Sequence, residues 1–240
     1  KKHQNEMIKQ KFPAIDLISD NNFASQEEVA KSLNLDLEKP IILFTQHSVT
    51  TEFNRASEQV LPSLDALRSL AKKGVQIIAT YPNNDAGGKA IINELNKLDA
   101  ESVDGIQVHR SLGRYLYHGV LALSIDHNKK VACVGNSSSG IKETPVFGCP
   151  TVNIGSRQLG RLRGQNVTDA DYLKDSIINA VEKCLYDNNF RDLSFKTDNP
   201  YYLGDAGKKI AEVLSKVNID DTILRKRMTL EGKVKDGWFK

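Results

Sequence analysis

A chain of 240 residues with 40% hydrophobic side chains can bury one good core, or a core with a small appendage. Its 33 Lys and Arg against 30 Asp and Glu leave a net charge of only +3, with no basic stripe and interleaved aromatics of the kind a nucleic-acid surface carries. No apolar run approaches the ~20 residues of a membrane span, so neither nucleic acid nor membrane is expected as a partner.

The opening KKHQNEMIKQ is too polar for a signal peptide. The three cysteines, Cys133, Cys149 and Cys184, have no metal-ligand spacing and cannot all pair. Together these features predict a soluble, cytoplasmic protein without a metal or cofactor. Up to about Leu37 the chain is polar with little periodicity. Ser25 and Glu28 form a capping box for one short helix. Residues 1–36 therefore read as an arm or linker, the end of a truncated domain that precedes it.

From Pro40 the pattern alternates. Runs 41–46, 75–81, 106–111, 131–136 and 151–155 are short, rich in Val and Ile and bounded by turn residues, as strands are. Between them, 54–73, 86–98, 113–124 and 139–147 carry apolar residues at helical spacing. A longer helix is predicted over about 169–186, and a helical tail closes the chain. The order βαβαβαβαβ predicts an α/β fold: a Rossmann-like parallel sheet with helices on both faces, spanning 37–203 and followed by a helical segment, 204–240.

Polar residues gather where the five strands end: Gln46-His47-Ser48, Pro82-Asn83-Asn84-Asp85, Ser111-Leu112-Gly113-Arg114, Asn136-Ser137-Ser138-Ser139-Gly140 and Gly155-Ser156-Arg157-Gln158. All lie at the carboxyl edge, the rim at which open α/β sheets bind ligands. A helix opening near Ser139 would present free N–H groups, Gly140 would admit a phosphate without a Cβ in the way, and Ser138 or Ser139 would add a hydroxyl donor. The other reading of these serines is a cap and its turn. Glu143, one turn on, suits the vicinal hydroxyls of a ribose, or equally a capping role. Arg157, Arg161 and Arg163 are candidates for a diphosphate, with at least one spent in a surface ion pair.

The runs TQHSVTTEF, TYPNNDAGG and above all GNSSSGIKETPVFGCPTVNIGSRQLGRLRGQNV resemble the C-terminal half of the UDP-N-acetylglucosamine 2-epimerase family, in its hydrolysing branch. The likeness extends from about Ile15 to the end of the chain. Where the non-hydrolysing branch carries His-Arg-Arg-Glu-Asn, this chain has His47-Ser48-Val49-Thr50-Thr51. Ser48 also departs from the proline of hydrolysing members, which leaves the amino sugar open.

The resemblance implies the C-terminal domain of a glycosyltransferase-B fold, with UDP held by Asn83, Ser137, Ser138, Ser139, Gly140, Glu143 and Arg157, and with His47 nearest the chemistry. It implies elimination of UDP from UDP-N-acetylglucosamine and hydration to N-acetylmannosamine, a sialic acid precursor. The acid and base carboxylates would lie on a missing N-terminal catalytic domain, so the chain alone would be inactive. Four other readings stay open: a UDP-2,4-diacetamido-trideoxyhexose 2-epimerase, a non-hydrolysing epimerase, a glycosyltransferase donor domain, and a non-catalytic nucleotide-sugar module. The closing GKVKDGWFK is expected to lack its docking surface, leaving Trp238 and Phe239 exposed or buried against another copy in a homo-oligomer.

Overall fold

The computed structural model describes residues 12–202, 204–217, 234–235 and 238–239. Six parallel strands form its main sheet: β1 (Ile41–Thr45), β2 (Gln76–Thr80), β3 (Ile106–His109), β4 (Val131–Gly135), β5 (Thr151–Ile154) and β6 (Val167–Ala170). Their order is β3-β2-β1-β4-β5-β6, a doubly wound arrangement in which the chain runs outward from β1 and then returns to start again at β4.

Alternation along each central strand builds two core layers. In β1, Ile42 and Phe44 pack with Val60, Leu64 and Leu67 of α3 (Ala56–Ala71), Ile91 and Leu95 of α4 (Gly88–Ala100), and Ile177 and Val181 of α7 (Lys174–Tyr186). Ile41 and Leu43 point the other way, toward Val120 and Leu121 of α5 (Gly113–Ala122). Because both faces are covered, the strand is a continuous apolar run.

The stretch expected as an arm supplies two helices to this second layer. Ile18 of α1 (Ala14–Ser19) and Val29 and Leu33 of α2 (Gln26–Leu33) belong to its core. Ser25 caps α2 in the expected box with Glu28. Only the 3-residue and 4-residue spacing of a few apolar side chains marks these helices in an otherwise polar sequence.

The sixth strand corrects the expected helix over 169–186, which begins at Lys174. β6 is a four-residue edge strand, VTDA, whose two middle positions are polar; a strand paired on one side alone needs no continuous apolar run. α8 (Asn188–Phe195) completes the unit formed by the described residues up to Gly204.

Beyond it lies a second compact unit with α9 (Ala206–Lys216) and the antiparallel pair β7 (Val234–Lys235) and β8 (Trp238–Phe239). The expectation for the Trp238 and Phe239 side chains lies outside what is described. Among the described residues no helix is long and apolar enough to cross a membrane. All three cysteines are buried and free; burial pushes the Cys149 thiol up to about 11, that of Cys133 higher still, and that of Cys184 well above the usual thiol range.

Candidate functional site

The connections leave β1 and β4 in opposite directions, so their carboxyl ends open a crevice between them. One buried side chain bridges it. Asn136, which follows β4, accepts the His47 N–H at its Oδ1 (2.7 Å) and donates Nδ2–H to the His47 carbonyl (2.8 Å). Its own carbonyl accepts from Arg157 Nη1 (3.1 Å) and Gln158 Nε2 (2.7 Å), beyond β5. Before His47, Gln46 is fixed by donating to the Gln59 carbonyl (3.0 Å) and accepting from Ser63 Oγ (2.7 Å). A short polar relay thus sets the loops after β1, β4 and β5 in one register.

The loop after β2 joins them. The Asn83 N–H donates to His47 Nδ1 (3.0 Å), Asn83 Nδ2 donates to Asp85 (2.6 Å), and Asp85 stands 3.6 Å from Arg157 Nη2. Burial and the Arg157 guanidinium lower the His47 pKa to about 4, opposed by the Asp85 carboxylate. The imidazole is therefore neutral at neutral pH. Since Nδ1 accepts a hydrogen bond, its proton sits on Nε2, which is left as a donor.

After β4 the chain makes α6 (Ser139–Lys142), a single turn, and then a 3₁₀ turn over Thr144–Phe147. The expected helix over 139–147 is broken because Pro145 brings no N–H for the Ile141 carbonyl; one residue earlier, Thr144 Oγ1 donates to the Gly140 carbonyl (2.7 Å). Ser138, at the N-cap position, makes no side-chain cap. Ser137 Oγ accepts the Ser139 N–H (3.4 Å), and Ser139 Oγ lies 2.7 Å from Tyr117 OH. A Cβ on Gly140 would stand 3.0 Å from Thr151 Cγ2. The glycine thus serves close packing of α6 on β5, a reason independent of any phosphate.

A cavity of about 310 Å³ opens at this edge. His47, Ser137, Ser139 and Glu143 line it, together with Thr45, Arg110, Ser111, Tyr117 and His118. Asn83, Ser138, Gly140 and Arg157 lie outside the lining, Asn83 bonded to His47 and Arg157 paired with Asp85. Arg163 is spent on a two-pronged ion pair with Asp169 (2.5 and 2.6 Å). Sequence reasoning missed Tyr117 and His118. The available signal was helical spacing, since His118 falls three and four places before the core positions Leu121 and Ala122, where a polar side chain needs a partner.

Chemically, the cavity offers N–H and O–H groups of His47, Ser137 and Ser139, the Arg110 guanidinium and the Glu143 carboxylate. It suits a ligand that carries both an anionic group and hydroxyls.

A family model described as UDP-N-acetylglucosamine 2-epimerase matches residues 12–215. Over 210 residues the chain is 32% identical to a GDP/UDP-N,N'-diacetylbacillosamine 2-epimerase (hydrolyzing) of Campylobacter jejuni, covering 88% of this chain and 52% of that protein. Over 209 residues it is 32% identical to a UDP-N-acetylglucosamine 2-epimerase of Neisseria meningitidis, covering 85% and 50%. Among solved structures, the UDP-GlcNAc 2-epimerase of Methanocaldococcus jannaschii in complex with UDP-GlcNAc and UDP has a TM-score of 0.63 at 17% identity, covering 88% of this chain and 55% of that one. The chain spans about half the length of the curated relatives it matches. At that identity the structural likeness bears on fold alone: the Rossmann-like sheet is of the glycosyltransferase-B type, as expected.

Proposed function

The chain belongs to the UDP-N-acetylglucosamine 2-epimerase family, and from that premise we propose that it is the UDP-holding half of a hydrolysing 2-epimerase acting on a UDP-2-acetamido sugar. The reaction eliminates UDP from UDP-N-acetylglucosamine to leave a 2-acetamidoglucal, which water converts to N-acetylmannosamine. One observation carries the reading: His47, neutral and with its Nε2 free to donate, lines the cavity at the switch point of the sheet together with Ser137, with Arg157 near enough to lower its pKa.

In this reading the diphosphate takes hydrogen bonds from His47 Nε2–H and the Ser137 hydroxyl, with Arg157 balancing its charge. Donors aimed at the departing phosphate stabilise the charge that grows as the C1–O bond breaks, so His47 acts more on the transition state than on bound substrate. Glu143 accepts from the ribose hydroxyls. Because α6 is one turn long, its dipole adds little, and side-chain donors dominate the site.

Removal of the C2 proton needs a base, and the chain's match to half of each relative supports placing the acid and base carboxylates on a separate N-terminal domain. The chain alone then binds without turnover, because uniform binding accelerates nothing. The two relatives are equally identical to this chain and are named for different sugars, so N-acetylglucosamine and the 2,4-diacetamido sugar are both to be tried.

Calorimetry of the chain with UDP and with uridine tests the nucleotide reading. UDP is expected to bind at least tenfold more tightly; equal affinities sink the diphosphate site. Product analysis of the full-length protein with both UDP-sugars tests the reaction. There, His47→Ala is expected to lower kcat more than it raises KM.

A further inference from the structure

Two adjacent residues of α5 grip the two ends of α6. Tyr117 OH meets Ser139 Oγ at 2.7 Å, and His118 Nε2 meets Glu143 Oε2 at 3.1 Å. Ser139 opens the turn and Glu143 closes it. A helix of four residues does not hold its own orientation in water, so its aim comes from what it is fastened to. The fastening is rigid: at Gly119, next to His118, a Cβ would stand 2.8 Å from both Ala24 Cβ and Val29 Cγ2, so α5 lies hard against α2 and the segment before it.

His118 is only 2% exposed, with the Phe147 ring centroid 5.9 Å from its own. Its Nδ1 has no hydrogen-bond partner among the described residues. A buried nitrogen left unpaired opposes folding, and a leucine of similar volume would avoid that cost. The imidazole is therefore a poor choice for packing alone. What it supplies, and leucine does not, is the bond to Glu143. That carboxylate lines the cavity with one oxygen held by His118 and the other, Oε1, without a partner among the described residues.

We infer that His118 is a positioning residue: by donating Nε2–H to one oxygen of Glu143, it holds the other toward the cavity, ready to accept from the paired hydroxyls of a ribose. The inference rests on the nucleotide reading given above. It does not make His118 a ligand contact; His118 acts through Glu143, and a preorganised acceptor binds better than one that must be ordered on binding.

The test compares UDP with 2',3'-dideoxy-UDP, which lacks both hydroxyls, in wild type and in two variants of the chain. Wild type is expected to prefer UDP. His118→Leu is expected to stay folded, with a melting temperature within about 3 °C of wild type, and to lose most of that preference, roughly tenfold, while dideoxy-UDP affinity changes less than about twofold. His118→Gln, which keeps a donor, restores part of the preference.

An unchanged preference in His118→Leu overturns the inference. So does an equal loss for both nucleotides, which marks a structural role. Failure of wild type to bind UDP at all overturns the nucleotide reading instead. Should His118→Leu not fold, the wild-type Nε2–H proton resonance decides: UDP is expected to shift it more than dideoxy-UDP does, and identical shifts overturn the inference.

Discussion

His47 and His118 line one cavity, yet they are held in contrasting ways. Around His47 four strand-end loops meet, and most of its bonds are to backbone: its N–H and carbonyl are clipped by Asn136, and its Nδ1 takes the Asn83 N–H. Around His118 two helices meet, and the bonds run from side chain to side chain. The ring nitrogen already engaged decides what each imidazole can still do. At His47 the occupied Nδ1 leaves an Nε2–H free to donate; at His118 the occupied Nε2 meets a carboxylate, and the unpaired Nδ1 is buried. The His47 part of the cavity is thus built by backbone geometry and the Glu143 part by side-chain identity.

The largest effect that would break this contrast falls on Asn136. Asn136→Ala leaves both backbone groups of His47 without that partner in a partly buried place and is expected to destabilise the protein by about 3 kcal/mol, read from urea denaturation. A loss under about 1 kcal/mol would mean that the His47 end is not held through its backbone.

Next comes acid. Unfolded histidine takes up its proton near pH 6.5, whereas folded His47 resists until about 4. Between those values the unfolded state binds more protons, so stability contributed at neutral pH is lost as pH falls through that window, by up to about 3 kcal/mol. In His47→Asn, whose amide oxygen can still accept the Asn83 N–H, the acid limb of the stability profile flattens. An unaltered profile assigns the acid sensitivity elsewhere.

At the other end, Glu143→Gln is expected to weaken UDP by about 2 kcal/mol relative to 2',3'-dideoxy-UDP; equal losses return Glu143 to a structural role. The smallest effect sharpens the comparison. Burial is the main cause of the low His47 pKa and Arg157 the second, so Arg157→Gln raises that pKa only part of the way, as followed by NMR titration. The His118 ring resonances stay unchanged in the same titration if the two ends are independent.

Much of the fold was legible because parallel strands buried on both faces leave unbroken Val and Ile runs, as IILFT and VACVG do. β6 was not, since an edge strand carries half the burial and VTDA looks like the lead-in to a helix. The shortness of α6 was foretold by Pro145, which a reading based on apolar spacing alone passes over. Within the site, the polar strand ends were legible as a rim, but their division of labour was not. Asn136 clips His47 across 89 positions of sequence and His118 reaches Glu143 across 25, pairings that only the sheet order and the packing of α5 create. The arginine run was ambiguous for the same reason: Arg163 belongs to Asp169 because β6 puts that carboxylate there.

The three buried thiols have a practical consequence for labelling this edge. A maleimide reacts with thiolate, and groups so far above the usual thiol range, sealed from solvent, present almost none at pH 7. The wild-type chain is in effect a dye-silent background. Leu159, in the loop after β5 and 86% exposed, is a place where one introduced cysteine would label alone, turning the rim into a fluorescent reporter without removing a native residue from the core.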